Sequence, residues 1–283
     1  MNRLPSAPRA ATLEPMTAGV LRLTKHHGLG NDFLVLLEPV PGLDTSALAR
    51  RLCDRHRGIG ADGLLVAHPG TEGADVTMEL RNADGSRAEM SGNGIRCFAQ
   101  ALWDAGLSRS PDELIVATDA GVRNVRLVDA HRAGYLRAAV DMGPVSVVHD
   151  APQYTLGSVE AAAFVDAGNP HLVLLDPKLA DVDVATDGAK IEATFAGGIN
   201  VEWIWPGPGP GELTLRVWER GVGETEACGT GSCAAAAAAM SWARTGPRVV
   251  VHNPGGDVTV DLGETAVLTG PAARIASVEM PWP

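Results

Sequence analysis

The sequence predicts an α+β fold of two similar halves, each a set of short strands wrapped about one central helix. Three observations predict it. Strand candidates are many and short, two apolar helices each follow a glycine-rich turn, and the two halves share landmarks in the same order. At 283 residues the chain is long enough for about two domains.

The strands come first. Gly28-Leu-Gly-Asn-Asp32 is a turn that feeds the apolar run Phe33 to Leu37. Residues 64–66 and 76–80 are further short apolar strands. At 213–217 the alternation sets Leu213, Leu215 and Val217 on one face and Thr214 and Arg216 on the other, a half-buried strand. Val249–Val251 and Val258–Leu262 flank Asn-Pro-Gly-Gly-Asp and read as a hairpin. Asp44 can cap a helix from about Thr45 to Arg55.

Two helices stand out. After Gly92-Asn93-Gly94, apolar residues recur at Ile95, Phe98, Ala99, Leu102 and Trp103, the spacing of an amphipathic helix docked on a core. After Gly229-Thr230-Gly231, the run Ser232 to Trp242 is nearly all alanine, and a helix that is small and apolar all round is a buried one.

The halves resemble each other. Ser91-Gly-Asn-Gly falls on Cys228-Gly-Thr-Gly at a separation of about 137 residues, as do Asn82 on Glu219 and Gly63 on Asn200. Gly30-Asn31 falls on Gly168-Asn169 one residue further apart. An ordered set of this kind points to a duplicated domain with a ligand site between the halves.

Composition narrows the function. A net charge of −11 argues against nucleic-acid or membrane-surface binding, both of which want a basic face. Residues 1–20 lack the continuous apolar run of a signal peptide and read as a flexible extension, with Met16 a second candidate start. No apolar stretch suits a membrane span, so a cytoplasmic location is expected. The cysteines are Cys53, Cys97, Cys228 and Cys233, without C-x-x-C or zinc spacing, so no metal is expected. Cys53 and Cys97 read as small buried hydrophobes.

Chemistry concentrates at four places. In Glu219-Arg220-Gly-Val-Gly-Glu-Thr-Glu-Ala-Cys228-Gly-Thr-Gly, a strand ends in a carboxylate and a guanidinium, and a thiol opens a helix. The free N–H groups and positive end of the helix favour thiolate, Glu219 can exchange its proton, and Arg220 can grip a carboxylate bidentately. The bland alternative is a glycine turn with a buried thiol and a surface ion pair, and the spacing weighs the two evenly. Arg81-Asn82 to Ser91-Gly-Asn-Gly repeats the layout with Ser91 in the thiol's place. Ser91 fits a helix N-cap and a catalytic role equally well. Gly168-Asn169-Pro170-His171 offers an imidazole that titrates near neutrality, although a lone histidine at a strand start is more often structural. Asn31 and Asn200 can bind a ligand or fix their turns.

Taken together, Asn31-Asp-Phe33, Gly60-Ala-Asp-Gly63, Arg81 to Ser86, Gly92-Asn-Gly94, Gly168-Asn-Pro-His171, Asn200-Val-Glu202, Glu219 to Thr225 and Cys228-Gly-Thr-Gly231 resemble the diaminopimelate epimerases, within the proline-racemase-like superfamily. The resemblance runs over roughly residues 22–283, and the stretch from Glu219 to Gly231 is its most specific part. It implies two pseudo-symmetric domains, each a β-barrel around a central α-helix: residues 21–137 with 273–283, and residues 138–272. It implies no metal and no pyridoxal phosphate. Consistent with that, the only lysines, Lys25, Lys178 and Lys190, lie outside the motifs where a Schiff base would form.

The reaction implied is inversion of one α-carbon of LL-diaminopimelate to the meso form, serving lysine and peptidoglycan synthesis, in a homodimer. Inversion needs an acid and a base on opposite faces. By resemblance Cys228, with Glu219, is one of the pair, and position 91, with His171, is the other. Gly92-Asn93 and Gly229-Thr230 would bind the reacting α-carboxylate and stabilise the carbanion. Asn31, Asn82, Asn169, Asn200 and Arg220 would hold the rest of the substrate, Arg220 on the distal carboxylate. Gly63 stands where some relatives carry a side-chain ligand.

Ser91 departs from the family, which has cysteine there. Alkoxide costs on the order of 5 kcal/mol more than thiolate before any effect of surroundings. Three readings follow: a working Ser–Cys pair, a Cys→Ser change that silences the enzyme, or a shift to dehydration or one-base proton exchange. Other substrates within the superfamily, or a silent amino-acid-binding protein, are the alternatives. Cys97 cannot stand in, because it lies off the face that carries position 91.

Overall fold

The computed structural model describes residues 19–38, 41–71, 73–132, 134–155 and 157–281. The extension expected over 1–20 therefore lies outside the described residues except for Gly19 and Val20. The first half contains β1 (Val20–Gly28), β2 (Asn31–Leu36), α1 (Thr45–Cys53), β3 (Gly63–Pro69), β4 (Val76–Asn82), β5 (Arg87–Ala88), α2 (Gly92–Asp104), β6 (Glu113–Thr118), β7 (Gly121–Arg132) and β8 (Tyr135–Asp141). The second contains β9 (Ser146–Asp150), β10 (Ala161–Asp166), β11 (Pro170–Leu175), α3 (Val184–Glu192), β12 (Asn200–Pro206), β13 (Glu212–Glu219), β14 (Gly223–Thr225), α4 (Gly229–Ser241), β15 (Arg248–Asn253), β16 (Gly256–Leu262) and β17 (Ala266–Pro281).

Strand pairing closes a barrel around α2. Its wall runs β1–β2–β3–β4–β6–β7–β8–β17 and returns to β1. The second half repeats this strand order around α4, β9–β10–β11–β12–β13–β15–β16–β17, with β9 and β17 as the two ends of the row. One long strand stitches the halves together. β17 pairs with β16 at Ala266–Thr269, with β8 over Val267–Ala273 and with β1 from Ala273 onward. The fold is α+β with two pseudo-symmetric barrels, each around a central helix.

The duplication holds at single-residue register. Phe33 stands opposite Gly63, and Gly63 opposite Asn82. In the second half His171 stands opposite Asn200, and the pairing of Val201 with Trp218 brings Asn200 beside Glu219. The row Phe33–Gly63–Asn82 thus corresponds to His171–Asn200–Glu219.

Both central helices are lined by one hydrophobic core. Helix α4 is thin because Ala234–Ala239 are buried on every side, which lets Leu213, Leu215, Val249, Val251 and Val260 of the wall come close. Helix α2 fills its barrel with Ile95, Phe98 and Leu102 instead. The amphipathic spacing predicts α2 but understates its surroundings: Asn93, Arg96 and Gln100, on its polar side, are buried as well. Both α1 and α3 pack outside their barrels on separate small cores, and each is capped by an aspartate, Asp44 and Asp183. No helix among the described residues is long and apolar enough to cross a membrane.

Candidate active site

The two central helices begin alike. Ser91 caps α2 in an extended conformation (φ −138°, ψ 124°), its Oγ accepting the Gly94 N–H at 3.0 Å. Cys228 caps α4 at φ −121°, ψ 122°, its Sγ accepting the Gly231 N–H at 3.4 Å. The helix starts face each other at the seam between halves. A Cβ built on Gly229 would lie 3.1 Å from Gly92 Cα, and one on Gly92 would lie 3.3 Å from Gly229 Cα. Only glycine permits this approach. It points two positive helix ends at one spot, an arrangement suited to an anion.

Acidic groups collect on the Cys228 side. Burial pushes the Cys228 thiol well above its ordinary range, and the charges of Glu219 and then Glu202 push it further. The Thr230 hydroxyl, 3.5 Å from Sγ, and the Gly231 N–H oppose this. Burial also raises Glu219, against hydrogen bonds from Thr225 and Cys228. The Thr225 hydroxyl donates to Glu219 Oε1, fixing the carboxylate at the end of β13.

His171 is fully buried with both ring nitrogens engaged: Nδ1 lies 2.7 Å from Glu202 Oε1 and Nε2 lies 2.8 Å from Asn169 Oδ1. Neither nitrogen bonds to Ser91. On the Ser91 side the matching strand position is held by Phe33, and a Cβ on Gly94 would lie 3.4 Å from its ring and 3.3 Å from Ser91 Oγ. Glu202 is buried too, and its Oε2 has no hydrogen-bond partner. A Cβ on Gly231 would meet Glu202 Oε1 at 2.7 Å, so Glu202 lies directly against the turn that holds Cys228.

The asparagines differ in what they leave free. Asn93 donates to Ala227 O at 3.0 Å and accepts from Arg96, crossing from α2 to the residue before Cys228. Asn31 donates to Asp62 Oδ2 at 2.7 Å, and Arg55 ties Asp62 to Asp32, which Lys25 also pairs. Asn82 donates to Ser86 Oγ at 3.0 Å. Asn200 links three strands, donating to Pro170 O and accepting the Arg220 N–H. Its amide is thus largely spent on the backbone, which favours the turn-fixing reading. The Arg220 side chain is exposed and forms no ion pair among the described residues, contrary to the bland expectation of a surface pair. Gly92, Gly229 and Thr230 sit at the facing helix starts.

Cys53, Cys97 and Cys233 are buried, and burial pushes each thiol up to about 12. Cys228 is raised as well, and what sets it apart is its place as the cap of α4 against Gly92. Among the described residues no cluster of His, Cys, Asp and Glu is placed to hold a metal. Three neighbours carry no role in the sequence reading: Glu202, Thr225 and Arg96. Alternation along β12 puts Glu202 on the same face as Asn200, a signal that was legible. Nothing in spacing marks Arg96.

Comparison with known proteins gives a consistent picture. The sequence model of the family described as "Diaminopimelate epimerase" matches residues 23–148 and 163–275. A diaminopimelate epimerase of Pelotomaculum thermopropionicum is 41% identical over 281 residues, covering 93% of this chain and 99% of the relative. One of Mycobacterium ulcerans is 40% identical, covering 90% and 95%. Among solved structures, a hydroxyproline epimerase from Agrobacterium vitis with bound trans-4-hydroxy-L-proline superposes with a TM-score of 0.73 at 17% identity, covering 93% of this chain and 92% of that one. A PhzF-family phenazine biosynthesis protein of Bacillus anthracis gives 0.70 at 14% identity, covering 92% and 99%. These structures share the fold.

Proposed function

The chain belongs to the diaminopimelate epimerase family and is an isomerase, and from that membership we propose that it interconverts LL- and meso-diaminopimelate by moving a proton at one α-carbon. The observation that carries the reading is the facing pair of helix starts, each capped by a residue able to exchange a proton, Ser91 and Cys228.

The substrate's α-carboxylate would lie between the two helix starts, against the N–H groups around Gly92-Asn93 and Gly229-Thr230. Fixed dipoles there would stabilise the carbanion as its charge spreads onto that carboxylate. Glu219, raised by burial, is matched to take the Cys228 proton, because a raised carboxyl narrows the gap between acid and base. The thiolate then removes the α-proton, and the Ser91 hydroxyl gives its own proton to the opposite face. His171 remains the candidate proton partner for position 91. Glu202 holds Nδ1 and Asn169 holds Nε2, so the ring would have to exchange its Asn169 bond to serve that position. Asn31, Asn82, Asn169 and Arg220 would hold the distal amino-acid end, with Asn200 bracing the Arg220 turn. We read the halves as domains of 21–137 with 273–283 and of 138–272, and the protein as a cytoplasmic homodimer of lysine biosynthesis that needs no cofactor.

Ser91 sets the rate. At on the order of 5 kcal/mol, the alcohol slows inversion by about three to four orders of magnitude relative to a thiol. The test incubates the protein and Ser91→Cys with LL- and meso-diaminopimelate in heavy water under reducing conditions, following α-deuterium and stereochemistry together. Inversion that is slow in the parent and strongly accelerated in Ser91→Cys is the expected result. Exchange without inversion in the parent would mark a one-face reaction. If neither protein exchanges or inverts, the substrate assignment falls.

A further inference from the structure

Arg96 is among the largest side chains in the molecule with no exposure at all. Its guanidinium lies between two chain segments that lack side chains: a Cβ on Gly28 would come within 3.3 Å of Nη2, and one on Gly270 within 3.0 Å of Cζ. Its hydrogen bonds are well made. Nη1 donates to Gly92 O at 2.8 Å, Nε to Pro271 O at 3.0 Å, and Nη2 to Asn93 Oδ1 at 2.7 Å. Among the described residues it forms no ion pair. Burial pulls its pKa down to about 10, with only the thiols of Cys97 and Cys233 opposing. It still carries its proton near neutrality.

A buried cation without a carboxylate is an expensive thing to keep in a core. The bonds of Arg96 say what it does there. Its fork takes Asn93 Oδ1, which leaves Nδ2 to donate to Ala227 O, the residue before Cys228. One guanidinium thereby ties together the first turn of α2, the crossing strand β17 and, through Asn93, the Cys228 turn of the other half. In the duplicated half the same helix position holds Cys233, so the charge belongs to one side only.

We propose that Arg96 is a positioning residue that sets Asn93 and locks the two helix starts in register, and that its unmatched charge is balanced by a carboxylate of the bound substrate. The proposal rests on the diaminopimelate reading for the identity of that carboxylate. Arg96 acts through Asn93 and through the local potential, without touching the reacting atoms. Lysine in its place keeps the charge but not the planar fork.

The experiment compares Arg96→Met, Arg96→Lys and Asn93→Ala, alone and with Asn93→Ala combined with each Arg96 variant, in the Ser91→Cys background, where turnover is expected to be fastest. It reads KM, kcat and the shift in melting temperature caused by diaminopimelate. Arg96→Met should raise KM at least tenfold and abolish most of the ligand-induced shift. Arg96→Lys, the substitution more certain to fold, should keep much of the shift and lose rate. Adding Asn93→Ala to either should cost less than Asn93→Ala alone, because both break one chain of contacts. Variants that merely melt lower, with KM, ligand shift and additivity unchanged, would reduce Arg96 to a structural residue. If the unsubstituted background neither turns over nor is stabilised by diaminopimelate, the substrate reading falls, and with it the carboxylate named here. The coupling of Arg96 to Asn93 would then be decided by additivity of melting temperatures alone.

Discussion

Cys228 and Ser91 hold the same backbone position and accept the same kind of bond, yet differ in how readily they release a proton. Each caps its helix with an acceptor atom, so the geometry is indifferent to sulfur or oxygen. Replacing Cys228 by serine should therefore leave stability within about 0.5 kcal/mol, since serine is a good N-cap. Proton exchange at the substrate α-carbon should fall by at least about a thousandfold. Melting curves and deuterium incorporation measure the two separately, and a large loss of stability would show that the thiol is there for packing. The pH dependence follows from the raised thiol. The thiolate is the reactive form and burial disfavours it, so kcat/KM should climb through neutral pH into the alkaline range. At this scale the sequence was informative: Cys228, Glu219 and Ser91 were legible from motif order. Glu202 sits in the Asn200-Val-Glu202 motif without a mark of its own, because a carboxylate on a strand declares itself only when its neighbour is seen to be an imidazole.

Strands and helices here are set by alternation and by caps. β13 shows the alternation, with Leu213, Leu215 and Val217 buried and their neighbours half-buried. The hairpin β15–β16 was readable from its Asn-Pro-Gly-Gly-Asp turn, but its tie to the barrel was not. His252, beside its turn, bonds Asp257 through Nδ1 at 2.8 Å and Glu212 of β13 through Nε2 at 3.0 Å. Burial lowers the ring's pKa, but the two carboxylates outweigh burial and leave it raised. A raised histidine contributes fully below its unfolded value, about 6.5, and the contribution disappears as pH rises through the folded value. His252→Asn should therefore lower the melting temperature at pH 6 and matter little at pH 9. The loss would be about 0–1 kcal/mol, because the pair is partly open to solvent. An equal loss at both pH values would assign the effect to packing.

The whole molecule depends on one close approach. Gly92 and Gly229 let two barrels bring their helix starts within van der Waals contact at the seam, and β17 carries the chain across it. A methyl group at Gly229 would press on backbone atoms, Gly92 Cα at 3.1 Å and Gly92 N at 3.5 Å, which cannot rotate away. Gly229→Ala should destabilise the protein by about 1–3 kcal/mol and cut turnover at least tenfold by parting the helix starts. Thermal melting with a turnover assay tests this, and normal activity in a stable Gly229→Ala protein would show that the approach is incidental.

The sequence by itself determined the duplication, the two central helices, their starts at Ser91 and Cys228 and the family to which they belong. These are local or periodic features, written in spacing: a helix face, a strand alternation, a Gly-x-Gly turn. Only the tertiary structure decided that α2 is enclosed on its polar side too, that Asn200 spends its amide on Pro170 and Arg220, and that His171 sits with Glu202 while Phe33 takes its place beside Ser91. The reason is physical. Burial, hydrogen-bond partners and charge balance are properties of groups brought together from distant positions, and no spacing along the chain encodes which of them will meet.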